Sequence, residues 1–509
     1  MVRMKFSMQS QRSIRKFAIE RFVVSAFWLL TGAFLTGSSL QAAVKPAAIF
    51  ADNALFQRGV NVPVWGAAKD GETVTVRFKG QEAATTTSEG MWMVRLKPMD
   101  AGGPFTMTIS GENTIEFKNI LIGEVWLCGG QSNMQWPLAE TDNAEELIAQ
   151  SMDDKLRLFT VPLVTAREPA KDLPSGKWDL CGPDTVRNFS AVAYHFGREL
   201  RKVLRVPVGL INDSYGGSIV QAWTSERCIM SDPESRPYIN NKPDWAEGPQ
   251  NGFCLLYNGM IAPIIPYGIR GAIWYQGEGN TVSTEADHYR TSFPVLIRNW
   301  REDWGQGDFP FLFVQLAPWA RDAVFHVSVD PEGTGWAVVR EAQLITSRTV
   351  TNTAMAVITD AGDADRIHPR RKEPVGHRLA LAAQAVAYGQ HVAYKGPAYK
   401  SMQVKGSKAM LSFLDADGGL MVQGETATGF AIAGSDKKFY PAQARIVQGE
   451  KMEVWSDQVA QPAAVRYGWA NYPIANVSNR AGLPMSPFRT DQWPPEKPFK
   501  TYKWPPETK

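Results

Sequence analysis

Cysteine and histidine are scarce in this chain: four and six among 509 residues. The cysteines, Cys128, Cys181, Cys228 and Cys254, follow no CxxC spacing, which excludes the common zinc patterns. Neither sign of charge dominates. The 54 Lys and Arg stand against 51 Asp and Glu, a net +3, too even for the basic face that holds nucleic acid. Beyond the first 42 residues no run is long and apolar enough to span a bilayer. Disorder is excluded by 44% hydrophobic and 21% charged content, and the length favours about two to four domains. Glycine (43), proline (33) and aromatics (17 Trp, 14 Tyr, 24 Phe) are plentiful, implying many turns, short strands and flat surfaces of the kind that stack on sugars.

The small positive charge is not spread evenly. Residues 1–42 hold Arg3, Lys5, Arg12, Arg15, Lys16 and Arg21 against Glu20 alone. An apolar stretch from Phe22 to Leu35 follows, then small and polar residues up to Ala42. A basic start, a short apolar centre and a small-residue exit predict a secretory signal peptide cleaved after Ala42, and so a periplasmic or extracellular protein. The stretch is shorter than the roughly 20 residues of a spanning helix. Without it the chain carries 48 basic and 50 acidic residues. An oxidising compartment permits disulfides, and Cys228 with Cys254 is the pairing to test first.

Residues 43–120 read as a β-rich N-terminal module, with alternation in Glu72–Phe78, Met91–Leu96 and Phe105–Ser110. Over 121–394 the apolar runs Val125–Cys128, Val208–Ile211, Gly271–Tyr275, Phe311–Leu316 and Ala354–Ile358 lack alternation, as strands buried on both faces do. Between them fall helical patterns: 190–204 with Ser190 as cap, 289–300, 338–346 and 375–388. Strands alternating with helices predict an α/β domain with a parallel sheet. Residues 395–490 return to short strands, and 491–509 are too rich in proline for a packed element.

A parallel sheet presents its reactive groups at the C-terminal ends of its strands. After the first run stands Gly129-Gly-Gln-Ser-Asn-Met, where Ser132 in a glycine-bearing turn can expose its hydroxyl. The later runs lead to Asn212-Asp-Ser-Tyr-Gly-Gly-Ser, Gln276-Gly-Glu-Gly-Asn and Asp360-Ala-Gly-Asp-Ala-Asp-Arg-Ile-His-Pro. A serine nucleophile needs a base. Among the six histidines only His368 sits in a loop after a core strand, with Asp365 three residues before it to hold the imidazole tautomer.

Gly130-Gln-Ser-Asn-Met, Trp274-Tyr-Gln-Gly-Glu-Gly-Asn and Asp365-Arg-Ile-His-Pro, followed by Lys372 and Gly376-His-Arg-Leu-Ala, resemble the ordered blocks of the SGNH hydrolase superfamily. They are most similar to its sialate O-acetylesterase-like carbohydrate esterases. Ala48–Gly59 with Val62–Gly66, Arg466–Asn471 and Gly482–Asp491 resemble the outer parts of that family, so most of the chain past residue 42 is covered. The resemblance implies a flavodoxin-like α/β/α hydrolase domain with flanking β-sandwich-like modules. It implies Ser132 as nucleophile, His368 as base, and an oxyanion hole of the Ser132 and Gly217 N–H groups with the Asn280 amide. It implies no metal and no cofactor, and an O-acetylated carbohydrate, sialic acid or plant xylan or xyloglucan, as substrate.

Asp365 is the first candidate to orient His368 and Asp363 the second, with Asp360 nearby; some relatives use a backbone carbonyl instead. Gln131, Gln276 and Glu278 are expected to support the site or touch substrate. Trp223, Trp274 and Trp319 suit either sugar stacking or the core. Arg340, Arg366, Arg370 and Arg371 suit either an acidic sugar or solvent. Two other functions compete: a glycan-binding module on a decayed esterase scaffold, and a glycosidase using Glu278 and Asp365.

Overall fold

A computed structural model describes residues 43–238, 248–320 and 335–494. The signal peptide expected over 1–42, His326, and residues 495–509 of the proline-rich end lie outside them. The centre of the fold is built from β1 (Thr114–Gly130), β2 (Asp153–Thr160), β3 (Val208–Ser214), β4 (Gly271–Tyr275), β5 (Phe311–Val314) and β6 (Thr353–Ala356). These strands are mutually parallel and lie in the order β2-β3-β1-β4-β5-β6, with Trp178–Cys181 antiparallel outside β2.

Both faces of this sheet are covered, which is why its strands are unbroken apolar runs. On one face lie α1 (Ala191–Leu204) and α4 (Glu373–Val386), which pack on each other and bury Val192, Phe196, Leu379 and Ala383. On the other lie α2 (Ser283–Trp304) and α3 (Gly335–Thr349), burying Phe293, Trp300, Val339 and Ala342. The Ser190 hydroxyl accepts the Ala193 N–H at 3.1 Å and caps α1 as expected. Helix α2 outruns the predicted 289–300 at both ends and continues through Pro294, because its apolar stripe is packed along its length.

Leaving β2 aside, the order β3-β1-β4-β5-β6 is the 2-1-3-4-5 of a doubly wound sheet. The chain leaves β1 toward β3 on one side and β4 on the other. A crevice therefore opens at the C-terminal end of β1, where Gly130 leads into Ser132.

The boundary expected at 120/121 falls inside β1. The first half of this 17-residue strand pairs antiparallel with Gly102–Ser110 in the N-terminal β region, and its second half is the central parallel strand. The described residues accordingly belong to one compact unit. The C-terminal β region has its own core, including Leu411, Phe413, Ile432, Val454, Val465 and Met485. Order continues past residue 490, since Arg466 holds the buried Asp491 carboxylate through two hydrogen bonds of 2.9 Å. The disulfide expected between Cys228 and Cys254 is not formed: all four cysteines are free and buried. The Cys228 thiol faces the Val295 carbonyl on α2 instead, at 3.8 Å.

Candidate active site

At the end of β1 the chain must turn sharply where another backbone passes close by. Gly130 has φ +141°, and a Cβ there would stand 2.2 Å from the Tyr275 carbonyl oxygen, so only glycine fits. Gln131 then donates its N–H to Tyr275 O at 3.0 Å, and a short helix begins at Ser132. The Gln131 side chain does not cap that helix; its Oε1 accepts the N–H groups of Gly277 and Gly279, at 3.2 and 3.3 Å. Ser132 stands in the helix's first turn, where backbone N–H groups have no intrahelical acceptor. Gly217, exposed and with φ +72°, lies in the loop after β3. Its neighbour Gly216 donates to Gln135 Oε1 at 2.9 Å, tying that loop to the serine turn.

His368 meets the serine from the loop after β6. Its Nε2 lies 2.8 Å from Ser132 Oγ. Burial, reinforced by the charge on Lys372, pushes the imidazole down to about 4, so it is neutral at physiological pH. The helix begun at Ser132 stops at Trp136 because Pro137 disfavours helical backbone before it, and Trp136 swings out to ψ 121°. Its indole stacks on the His368 ring, with centroids 4.5 Å apart and planes 27° from parallel.

Asn133 sits beneath these two residues, wholly buried. Its Nδ2 donates to Glu278 Oε1 at 2.6 Å and to the Ile367 carbonyl at 3.0 Å, and its Oδ1 accepts from Lys372 Nζ. One amide thus joins the serine turn, the loop after β4 and the histidine loop. Burial raises the Glu278 carboxyl above its ordinary range and pushes the Lys372 ammonium down to about 7. Asn133, Trp136 and Lys372 were given no role from sequence. Asn133 and Lys372 stand inside the quoted blocks, but only folding brings them together.

Among the described residues no carboxylate completes a triad. Asp365 is exposed and makes no hydrogen bond to His368, and among the described residues His368 Nδ1 has no protein partner. The reason is local: Asp363 Oδ1 accepts the N–H groups of residues 365 and 366, at 3.0 and 3.2 Å, shaping a turn that leaves Asp365 in solvent. Asp360 is bound by Arg378 through two contacts of 2.6 and 2.7 Å.

A family model described as "Carbohydrate esterase, sialic acid-specific acetylesterase" matches residues 122–385, a span holding every residue of this site. The chain belongs to that acetylesterase family. The sialate O-acetylesterase of Homo sapiens is 32% identical in an alignment 496 positions long that covers 87% of this chain and 92% of that protein. The Mus musculus sialate O-acetylesterase is also 32% identical, over 84% of this chain and 90% of its own. A crystal structure of a carbohydrate acetylesterase from Xanthomonas citri superposes with a TM-score of 0.81 at 39% identity, covering 88% of this chain and 100% of the other. As an acetylesterase family member the chain is a carboxylic ester hydrolase.

Other expected residues of this acetylesterase-type site are engaged differently. The Asn280 amide is turned into the protein: Oδ1 accepts from the Val220 N–H and Gln276 Nε2, and Nδ2 donates to Gln221 Oε1 at 3.0 Å. Burial raises the Glu285 carboxyl, and the Gln221 amide, donating to it at 2.6 Å, draws it partly down. One amide hydrogen of Asn280 is thereby taken by Gln221, and the Asn280 side chain is wholly buried. Gln276 is wholly buried and also bonds Ser218 O and Tyr289 Oη, so it supports the loop and faces no solvent. Trp223 and Trp274 pack edge to face in the core, and Trp319 is buried near Trp336. Arg340 is buried and donates to the carbonyls of Leu316, Ala317, Ala470 and Asn471, riveting the C-terminal β region to the loop after β5. Arg370 pairs with Asp142, Arg371 donates to Asp360 O, and Arg366 is exposed. Glu278, 2% exposed and bonded to Asn133, cannot meet a glycosidic oxygen as the glycosidase alternative requires.

Proposed function

We propose that this chain is an exported serine esterase of the SGNH kind that removes O-acetyl groups from carbohydrate. The observation that carries the reading is the 2.8 Å contact between Ser132 Oγ and a neutral His368 Nε2, at the crevice of a doubly wound sheet in an acetylesterase family member. Ser132 Oγ attacks the acetyl carbonyl as its proton passes to His368 Nε2. The oxyanion takes the N–H groups of Ser132 and Gly217. His368 then protonates the departing sugar oxygen, which leaves as the free hydroxyl, and an acetyl-enzyme remains. Water activated by the same histidine releases acetate and restores the serine.

The names of the similar proteins point to acetylated sialic acid or another acetylated carbohydrate, and plant xylan and xyloglucan belong on the same panel. Acetate release measured across acetylated sialosides, xylan and xyloglucan oligosaccharides tests the class, with hydrolysis of at least one expected. Ser132→Ala is expected to lower kcat on that substrate by about 10³-fold or more. Equal inactivity on all of them, or an active Ser132→Ala variant, overturns the reading. Tight glycan binding without acetate release would instead favour the decayed-scaffold alternative, against which the intact Ser132–His368 contact speaks. Export rests on the basic, apolar and small segments of residues 1–42, and N-terminal sequencing of the mature protein in cell fractions tests it.

A further inference from the structure

A serine–histidine pair needs something to hold the imidazole, a task a buried carboxylate performs in the common triad. That carboxylate also stabilises the imidazolium formed when the histidine takes the serine proton. Here the loop carboxylates are placed elsewhere: Asp365 in solvent, Asp363 in its own turn, Asp360 on Arg378. The ring is instead covered by Trp136, whose backbone direction is fixed by Pro137 and whose Nε1 donates to Glu140 O at 3.2 Å. The chain just before the ring is pinned at Ile367 O by the buried Asn133 amide.

Resting on the esterase reading above, we propose that Trp136 is the positioning residue of the base. Its indole face holds the His368 ring with Nε2 on Ser132 Oγ, with no orienting carboxylate among the described residues, while Asn133 fixes the backbone behind it. An indole suits both parts of the task. Its breadth blocks rotation of the imidazole about its own axis, and its negative π face meets the positive charge that develops on the ring during acyl transfer. Because the indole acts through the base on which it stacks, its removal is expected to act on turnover more than on the binding of a small ester.

The experiment compares kcat and KM for p-nitrophenyl acetate across five full-chain variants: Ser132→Ala, Trp136→Leu, Trp136→Phe, Asp363→Asn and Asp365→Asn. Trp136→Leu is expected to lose about 10- to 100-fold in kcat, the scale of a misplaced catalytic group, with KM within about twofold. Trp136→Phe, which keeps a flat face, restores most of the loss, a rescue that a merely structural role does not produce. The two aspartate variants stay within about twofold, as surface changes do. A loss of about 10⁴-fold in either aspartate variant, the scale of a missing triad acid, overturns the proposal. So does a Trp136→Leu enzyme with unchanged kcat. Should Trp136→Leu fail to fold by circular dichroism, the aspartate pair decides by the same criteria. An inactive Ser132→Ala beside an unaffected Trp136→Leu refutes the indole's role alone, whereas an active Ser132→Ala refutes the esterase reading beneath it.

Discussion

If His368 is the general base, the acid limb of the pH profile reports its protonation, and burial predicts where that limb falls. The imidazole is pushed from 6.5 down to about 4, first by burial and then by the Lys372 charge. At pH 5 a base with that pKa is about 90% neutral, whereas an unperturbed histidine is about 3% neutral, a difference of roughly 30-fold in active enzyme. Acetate release under kcat/KM conditions between pH 3.5 and 8 should therefore hold near its plateau at pH 5 and fall by half near pH 4. Lys372 titrates near 7, so it is charged throughout this limb, and Lys372→Met should move the midpoint upward. Stability carries the same sign. The folded pKa lies below the unfolded one, so the unfolded chain binds the proton more tightly; the contribution is full above about 6.5 and is lost as pH falls toward 4. A wild-type midpoint at 6.5 or above, with the fold intact by circular dichroism, would refute the reasoning.

Three further outcomes follow from packing. Gly130→Ala places a Cβ 2.2 Å from Tyr275 O in a left-handed backbone, which costs about 1–3 kcal/mol in backbone strain before the clash is counted; its urea midpoint should fall and its esterase activity with it. Arg340→Met takes a donor from four carbonyls, of which Ala317 O keeps the Trp336 indole N–H and two, those of Ala470 and Asn471, lie across the junction in the C-terminal region. A loss of about 3 kcal/mol or more is expected by urea unfolding, with early proteolysis after residue 394; an unchanged midpoint would contradict the rivet. Because all four thiols are free, dithiothreitol should leave the melting temperature of the protein unchanged, and a fall of several degrees would show a disulfide after all.

The sheet was legible because a strand buried on both faces has no reason to alternate, and each of the five apolar runs marks a parallel strand. Ser132 and His368 were legible because each follows such a run, and strand ends are where an α/β sheet exposes its side chains. Direction was not legible. Three residues between Asp365 and His368 are compatible with contact, yet the Asp363 turn sends Asp365 outward. Competition was not legible either: the Asn280 amide is held by Gln221 and by the Val220 N–H, which lie on another element. Arg340 and Cys228 mislead for the same reason, since a charge inside the protein and a thiol against a carbonyl look like any others in a string of letters.

The strand that runs unbroken from Thr114 to Gly130 also constrains how the molecule is made. The N-terminal β region leaves the ribosome before the α/β region, yet its sheet lacks a paired edge until residue 122 has emerged, and the same strand must then wait for Val208–Ser214 and Gly271–Tyr275 to cover its other half. Early in synthesis the chain therefore carries a long apolar strand with open edges, the template on which nascent chains adhere to one another. A trimmed catalytic fragment beginning at residue 121 would make that transient state permanent, so shortened expression should retain everything from residue 43 onward.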